Sequence, residues 1–89
     1  MEQADILKEF KDAGAILSGH FILSSGLHSP TYLQCARVMM DATRGERLCA
    51  ELARKVLAHK EFAIDAIVAP AMGGVVVGYE MGRQMKLPT

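Results

Sequence analysis

Apolar residues at the start of the chain fall at helical spacing. Ile6, Leu7, Phe10 and Ala13 share one side, charged residues fill the other, and Gly14 follows. This predicts an amphipathic helix over residues 3–13 with a glycine stop. From residue 15 the period shortens to two. The pieces "AILSG", "HFILSSG" and "HSPTYLQCARV" read as extended, with Pro30 near the start of the last, where a strand accepts proline. A pair or trio of strands over 15–38 is expected, turning at Ser24-Ser25-Gly26. Helical spacing then returns. Thr43 and Glu46 stand at the separation of a capping box. Leu48, Cys49, Leu52, Ala53, Val56 and Leu57 follow on one face, which predicts a helix over 43–59. "AIDAIVAP" is continuously apolar except for one Asp, the pattern of a buried parallel strand ending at Pro70. "AMGG" is a glycine loop, and "GVVVGYEMGRQM" a helix closed by Leu87-Pro88. The second half therefore reads helix, strand, glycine loop, helix, which is half of an α/β sheet. There are no internal repeats and no low-complexity linker.

Composition narrows this picture. The 89 residues make one small domain, yet 51% are hydrophobic. That excess implies a surface meant for a partner or a missing remainder. Ten basic residues balance ten acidic ones without a clustered basic face, which argues against nucleic acid and against a membrane surface. The longest apolar run, 66–71, is far too short to span a bilayer. The charged, amphipathic first residues are unlike a secretory leader. Cys35 and Cys49 make no disulfide framework and read as reduced thiols. A cytoplasmic location is expected.

Two stretches have the residues for chemistry. In "IVAPAMGGVVVG" an apolar run enters a glycine loop that opens a helix. The backbone N–H groups of Met72, Gly73 and Gly74 are candidates to face an anion there, aided by the helix dipole. The pattern is neither a P-loop nor G-x-G-x-x-G, and by spacing alone a tight turn needing glycine for packing is the better explanation. Gly74, Gly78 and Gly82 recur every four residues, leaving one helix face bare for close packing. In the other stretch, Ser24, Ser25, Gly26 and Tyr32 suit the rim of a planar polar ligand, although by spacing alone a hairpin turn is the better explanation. His20, His28 and His59 lack helical metal-ligand spacing, so no metal site is expected from them. Neither cysteine has an activating neighbour in sequence.

Taken together, "HFILSSGLHSPTYLQ" and "IVAPAMGG" resemble the N-terminal part of the orotate phosphoribosyltransferase family, within the type I phosphoribosyltransferases. That family's early signature, F-x-L-x-S-G-x-x-S-x-x-Y/F, stands here as Phe21, Leu23, Ser25, Gly26, Ser29 and Tyr32. Its diphosphate loop, P-A-x-x-G, stands as Pro70, Ala71, Met72, Gly73 and Gly74. The resemblance covers the whole chain. It implies a partial phosphoribosyltransferase fold of α/β class: an N-terminal helix and hood strands over 1–40, then the first helix-strand-loop-helix unit of a parallel-sheet core over 41–89.

The same resemblance implies an activity, transfer of phosphoribosyl from 5-phosphoribosyl 1-diphosphate to orotate in UMP biosynthesis. Mg²⁺ would arrive with the diphosphate, and the complete enzyme would be a homodimer. Ser24, Ser25, Gly26, Tyr32 and Leu33 are the implied orotate and phosphoribosyl diphosphate contacts, and Ala71, Met72, Gly73 and Gly74 the diphosphate contacts. Many members carry Lys where Ser24 and Gly73 stand, so these two positions are left with a hydroxyl and a backbone N–H. The family's basic catalytic loop, its adjacent acidic pair and its Thr-Thr-Gly loop have no counterpart in these 89 residues. No catalytic residue is assigned, and the chain is expected to be the front half of a longer enzyme. Two alternatives stay open: a non-catalytic fragment that binds diphosphate, and a phosphoribosyltransferase for another base.

Overall fold

The computed structural model describes residues 1–89, which divide into two units, Met1–Met40 and Asp41–Thr89. In the first, helix α1 spans Gln3–Asp12. The Glu2 N–H donates to the Asp5 carboxylate at 3.0 Å, and Lys8 reaches Asp12 at 2.6 Å one turn on. The stop falls at Gly14, whose φ of 69° only glycine adopts readily. The Gly14 N–H bonds the Lys11 carbonyl and the Ala15 N–H bonds the Phe10 carbonyl, so the last turn closes on itself.

Strands β1 (Ile16–Ile22) and β2 (His28–Leu33) form an antiparallel ribbon. Leu17 faces Tyr32 and Phe21 faces Ser29, with a bulge between Ser18 and Phe21. The bulge lies opposite Pro30, which has no N–H to give a ladder, so the register slips where a bond is impossible. The expected third extended piece ends early. Residues 36–39 form a helical turn, α2 (Ala36–Met39), because the backbone turns at Gln34–Cys35, where the N–H groups of Arg37 and Val38 bond the carbonyls of these two residues. Ala15 and Val38 are the buried apolar residues of this unit. The Arg37 guanidinium donates to the Gly14 carbonyl at 3.0 Å.

The second unit pairs helices α3 (Ala42–Leu57) and α4 (Val75–Met85). The cap of α3 differs from expectation. Asp41, not Thr43, is the N-cap, and its carboxylate accepts from the N–H groups of Thr43 and Arg44, both at 3.1 Å. Glu46 is thereby left for another task. It accepts from Arg83 of α4 at 2.9 Å, and Arg83 also holds Glu80 at 2.7 Å. Gln84 bonds the same Glu80 at 2.8 Å. The Arg83 guanidinium holds the Glu80 carboxyl below the usual carboxylate range. Buried Gly45, Cys49 and Ala53 line one side of α3, whereas Leu52 and Leu57 of the predicted apolar face stay half exposed.

The run "AIDAIVAP" is not a strand. Residues 63–70 carry no regular secondary structure, and Val68 is 95% exposed. Only one amide of the run donates to the backbone, the Ile67 N–H to the Pro88 carbonyl at 2.9 Å. A parallel strand exists only when neighbours supply its hydrogen bonds, and the only sheet here is the β1–β2 ribbon.

Candidate functional site

The hairpin places the first group of candidate residues. Between Leu23 and Leu27 the chain turns in three residues. Gly26 at φ 87° permits the turn, its N–H bonds the Leu23 carbonyl, and the Leu23 N–H bonds the Leu27 carbonyl, both at 2.8 Å. Ser25 serves this turn, accepting from the Leu27 N–H at 3.3 Å. Ser24 stands exposed with its hydroxyl unused. The Tyr32 ring lies 5.7 Å from that of Phe21, tilted across the ribbon. It remains 38% exposed, with its hydroxyl bonded to nothing in the chain. Leu33 is 50% exposed. Successive strand residues point to opposite faces, so Tyr32 and Leu33 do not share one.

The second group belongs to the other unit. Pro70, Ala71, Met72, Gly73 and Gly74 form the turn that opens α4, with a cis peptide bond between Ala71 and Met72. The Gly74 N–H bonds the Pro70 carbonyl at 2.8 Å and the Val75 N–H bonds the Met72 carbonyl at 3.1 Å. Of the three amides expected to face an anion, Gly74 is therefore already engaged. The reason is local: closing the turn uses the N–H four residues after Pro70. The Met72 and Gly73 amides have no acceptor, and both residues are exposed, Met72 at 86%. A Cβ built on Gly73 would meet nothing within 4 Å.

The glycine stripe on α4 proves to be a packing device. A Cβ on Gly74 would come 2.6 Å from the Pro70 carbonyl oxygen, and one on Gly78 would come 2.7 Å from the Ala69 Cβ. One on Gly82 would overlap the Thr89 side chain. Bare helix surface thus lets the segments on either side of α4 lie directly against it, which fixes where the 70–74 turn sits on the helix.

The remaining reactive groups do not join either set. Both cysteines are free thiols, Cys35 exposed and Cys49 buried. Burial, with the nearby Glu80 carboxylate, pushes the Cys49 thiol up, the opposite of an activated nucleophile. No group of three His, Cys, Asp or Glu side chains converges as a metal cage. No helix is long and apolar enough to cross a membrane.

Sequence comparison finds 57% identity over 88 residues with an orotate phosphoribosyltransferase of Parvibaculum lavamentivorans, and 56% over 88 residues with one of Sphingopyxis alaskensis. Each match takes in 99% of this chain. The chain is a relative of the orotate phosphoribosyltransferases. It spans 45% of the length of these two curated relatives. Among solved structures, the orotate phosphoribosyltransferase of Aeropyrum pernix superposes with a TM-score of 0.74 at 28% identity, over 91% of this chain and 48% of that one. The UMP synthase of Leishmania donovani shares the fold at a TM-score of 0.84 and 23% identity, over 98% of this chain and 19% of the larger protein. No family model matches. Kinship with orotate phosphoribosyltransferase thus extends over the hairpin and the glycine turn alike, the two stretches that carried the resemblance.

Proposed function

We propose that this chain supplies the base-contacting hairpin and the diphosphate-contacting turn of an orotate phosphoribosyltransferase. In that reading Ser24, Ser25, Gly26, Tyr32 and Leu33 meet orotate and 5-phosphoribosyl 1-diphosphate, Tyr32 through its exposed ring and hydroxyl. Ala71, Met72, Gly73 and Gly74 meet the diphosphate. The observation that carries it is the pair of unpartnered amides at Met72 and Gly73, at the opening of an eleven-residue helix. As the bond from ribose to diphosphate breaks, negative charge grows on the leaving group. Donors already aimed at it stabilise that charge without reorganising. Gly74 contributes by holding the turn shut, with its own amide occupied by Pro70.

Mg²⁺, which the resemblance implies, demands oxygen ligands. The turn contains no carboxylate, and no acidic cluster forms elsewhere in the chain. These residues do not fit a Mg²⁺ cage, so the ion belongs with the substrate diphosphate and no step here runs through it. We assign the complete enzyme to a homodimer, which gives its half-exposed apolar side chains a place to go, and to the cytoplasm, where the two thiols stay reduced. Residues 1–40 and 41–89 form one partial domain in this reading. The 89 residues by themselves bind and do not turn over.

Calorimetric titration with diphosphate tests the turn. Gly73→Asp places a carboxylate beside the bound anion, in space that is open, so the fold is kept. Like charges a few ångströms apart repel by roughly 1–4 kcal/mol between bulk-water and near-surface screening. Affinity should fall about fivefold to a thousandfold. Unchanged affinity would remove the turn from the diphosphate site.

A further inference from the structure

Sequence spacing sets His20 and His28 apart, but the ribbon joins them. His28 pairs with Ile22, and His20 lies two residues before Ile22, on the same face. The bulge opposite Pro30 shifts β1 by one residue beside this pair. The result is a diagonal cross-strand contact with ring centroids 4.8 Å apart and the His20 Nε2 2.6 Å from the His28 Nδ1. Both residues are exposed, and neither ring has another side-chain hydrogen bond.

We propose that His20 and His28 form a two-imidazole chelate for a borderline divalent transition-metal ion of the Zn²⁺ or Ni²⁺ class. The ion would sit on the outside of the hairpin, with water completing its coordination. Imidazole nitrogens bind such ions at about 2.0–2.1 Å, so two of them on one ion stand roughly 2.9–3.3 Å apart. The hydrogen-bonded pair therefore opens by less than about 1 Å to admit the ion, a movement within reach of two exposed χ angles. The proton balance is simple. In the metal-free pair one facing nitrogen donates and the other accepts. Binding needs both facing lone pairs, so the shared proton moves to the outer nitrogen of the donor ring. Two coordinate bonds form, one hydrogen bond is lost, and no net proton leaves the protein.

Mg²⁺ is not a competitor, since it is a hard ion that requires oxygen ligands. The third histidine supplies an internal control, because His59 lies in the turn after α3 against Glu61, with its Nδ1 2.9 Å from the carboxylate. The inference is independent of the diphosphate assignment, and failure of one leaves the other standing.

The test is calorimetric titration of the 89-residue chain with Zn²⁺ and with Ni²⁺, alongside His20→Gln, His28→Gln and His59→Gln. Glutamine keeps a polar group on the exposed ribbon, and far-UV circular dichroism verifies that each variant folds. One ion per chain should bind, and either hairpin substitution should weaken it about tenfold or more by turning a chelate into a single ligand. His59→Gln should change nothing, and Mg²⁺ in excess should not displace the ion. Substoichiometric Ni²⁺ should broaden the His20 and His28 ring resonances together. Equal affinity in His20→Gln and the parent chain, or an equal loss in His59→Gln, would overturn the chelate.

Discussion

Gly78 illustrates how a single missing methyl can decide the course of the chain. Alanine there would gain about 1 kcal/mol of helix propensity, since glycine is the poorer helix former. Its Cβ would also sit 2.7 Å from the Ala69 Cβ, a distance side chains do not tolerate. Overpacking of this kind costs about 1–3 kcal/mol, so Gly78→Ala should destabilise by up to about 2 kcal/mol despite the better propensity. Urea unfolding of both chains gives the difference directly. Glu51 is the second residue whose surroundings matter. It is buried on α3 and bonded to Arg54, with 3.1 Å between Arg54 Nε and a carboxylate oxygen. The Arg54 guanidinium lowers its pKa from 4.5 to about 2. A folded-state value below the unfolded one means the unfolded chain binds the proton first. The stabilisation is therefore complete above about pH 4.5 and is lost as pH falls toward 2. Thermal unfolding across that window should show a decline in the parent chain that is smaller in Glu51→Gln, where the lowered Glu80 carboxyl still contributes. At this scale the sequence was partly legible. Gly73 and Gly74 lie in a turn that opens α4, as the glycine-loop reading expected, and Tyr32 lies exposed on β2. The engagement of the Gly74 amide was hidden, because it follows from how the turn closes and not from residue type.

Among the elements, those whose signals are local were the ones the sequence disclosed. Helix α1 with its Gly14 stop, the turn at 24–26 and helix α4 depend on neighbours a few residues away, and all three form. The α3 cap was misassigned by two residues, since Thr43 and Glu46 have capping-box spacing while Asp41 has the shorter reach to two N–H groups. Asp41→Ala should thus cost about 1 kcal/mol of stability, and Thr43→Ala markedly less, as measured by the urea midpoint. The reverse ranking would restore Thr43 as the cap. Residues 36–39 turned helical where a strand was expected, and residues 63–70 formed no strand at all. The first follows from the local turn at Gln34–Cys35; the second arises because apolar runs become strands only beside other strands, a fact of tertiary context that periodicity does not contain.

For the molecule as a whole, kinship was legible because two motifs occur in order, and the comparisons extend it along the entire chain. The core was not. Only Ala15, Val38, Cys49, Ala53 and Met81 are buried apolar residues in a chain that is 51% hydrophobic. Binary patterning marks which residues can be buried, but the covering surfaces decide which are. The cross-strand histidines were invisible for a related reason, being neighbours by register and strangers by sequence number.

The lone bond between Ile67 and Pro88 has one more consequence. An amide with no acceptor trades its proton for solvent deuterium at the rate of an unfolded peptide, while a helical amide waits for an opening event. In deuterium oxide, residues 63–69 should label within the first seconds, with the Ile67 amide lagging behind its neighbours. The central turns of α3 should label last. Mass spectrometry or NMR of the labelled chain would then trace, amide by amide, the border between backbone that has found partners and backbone still open to one.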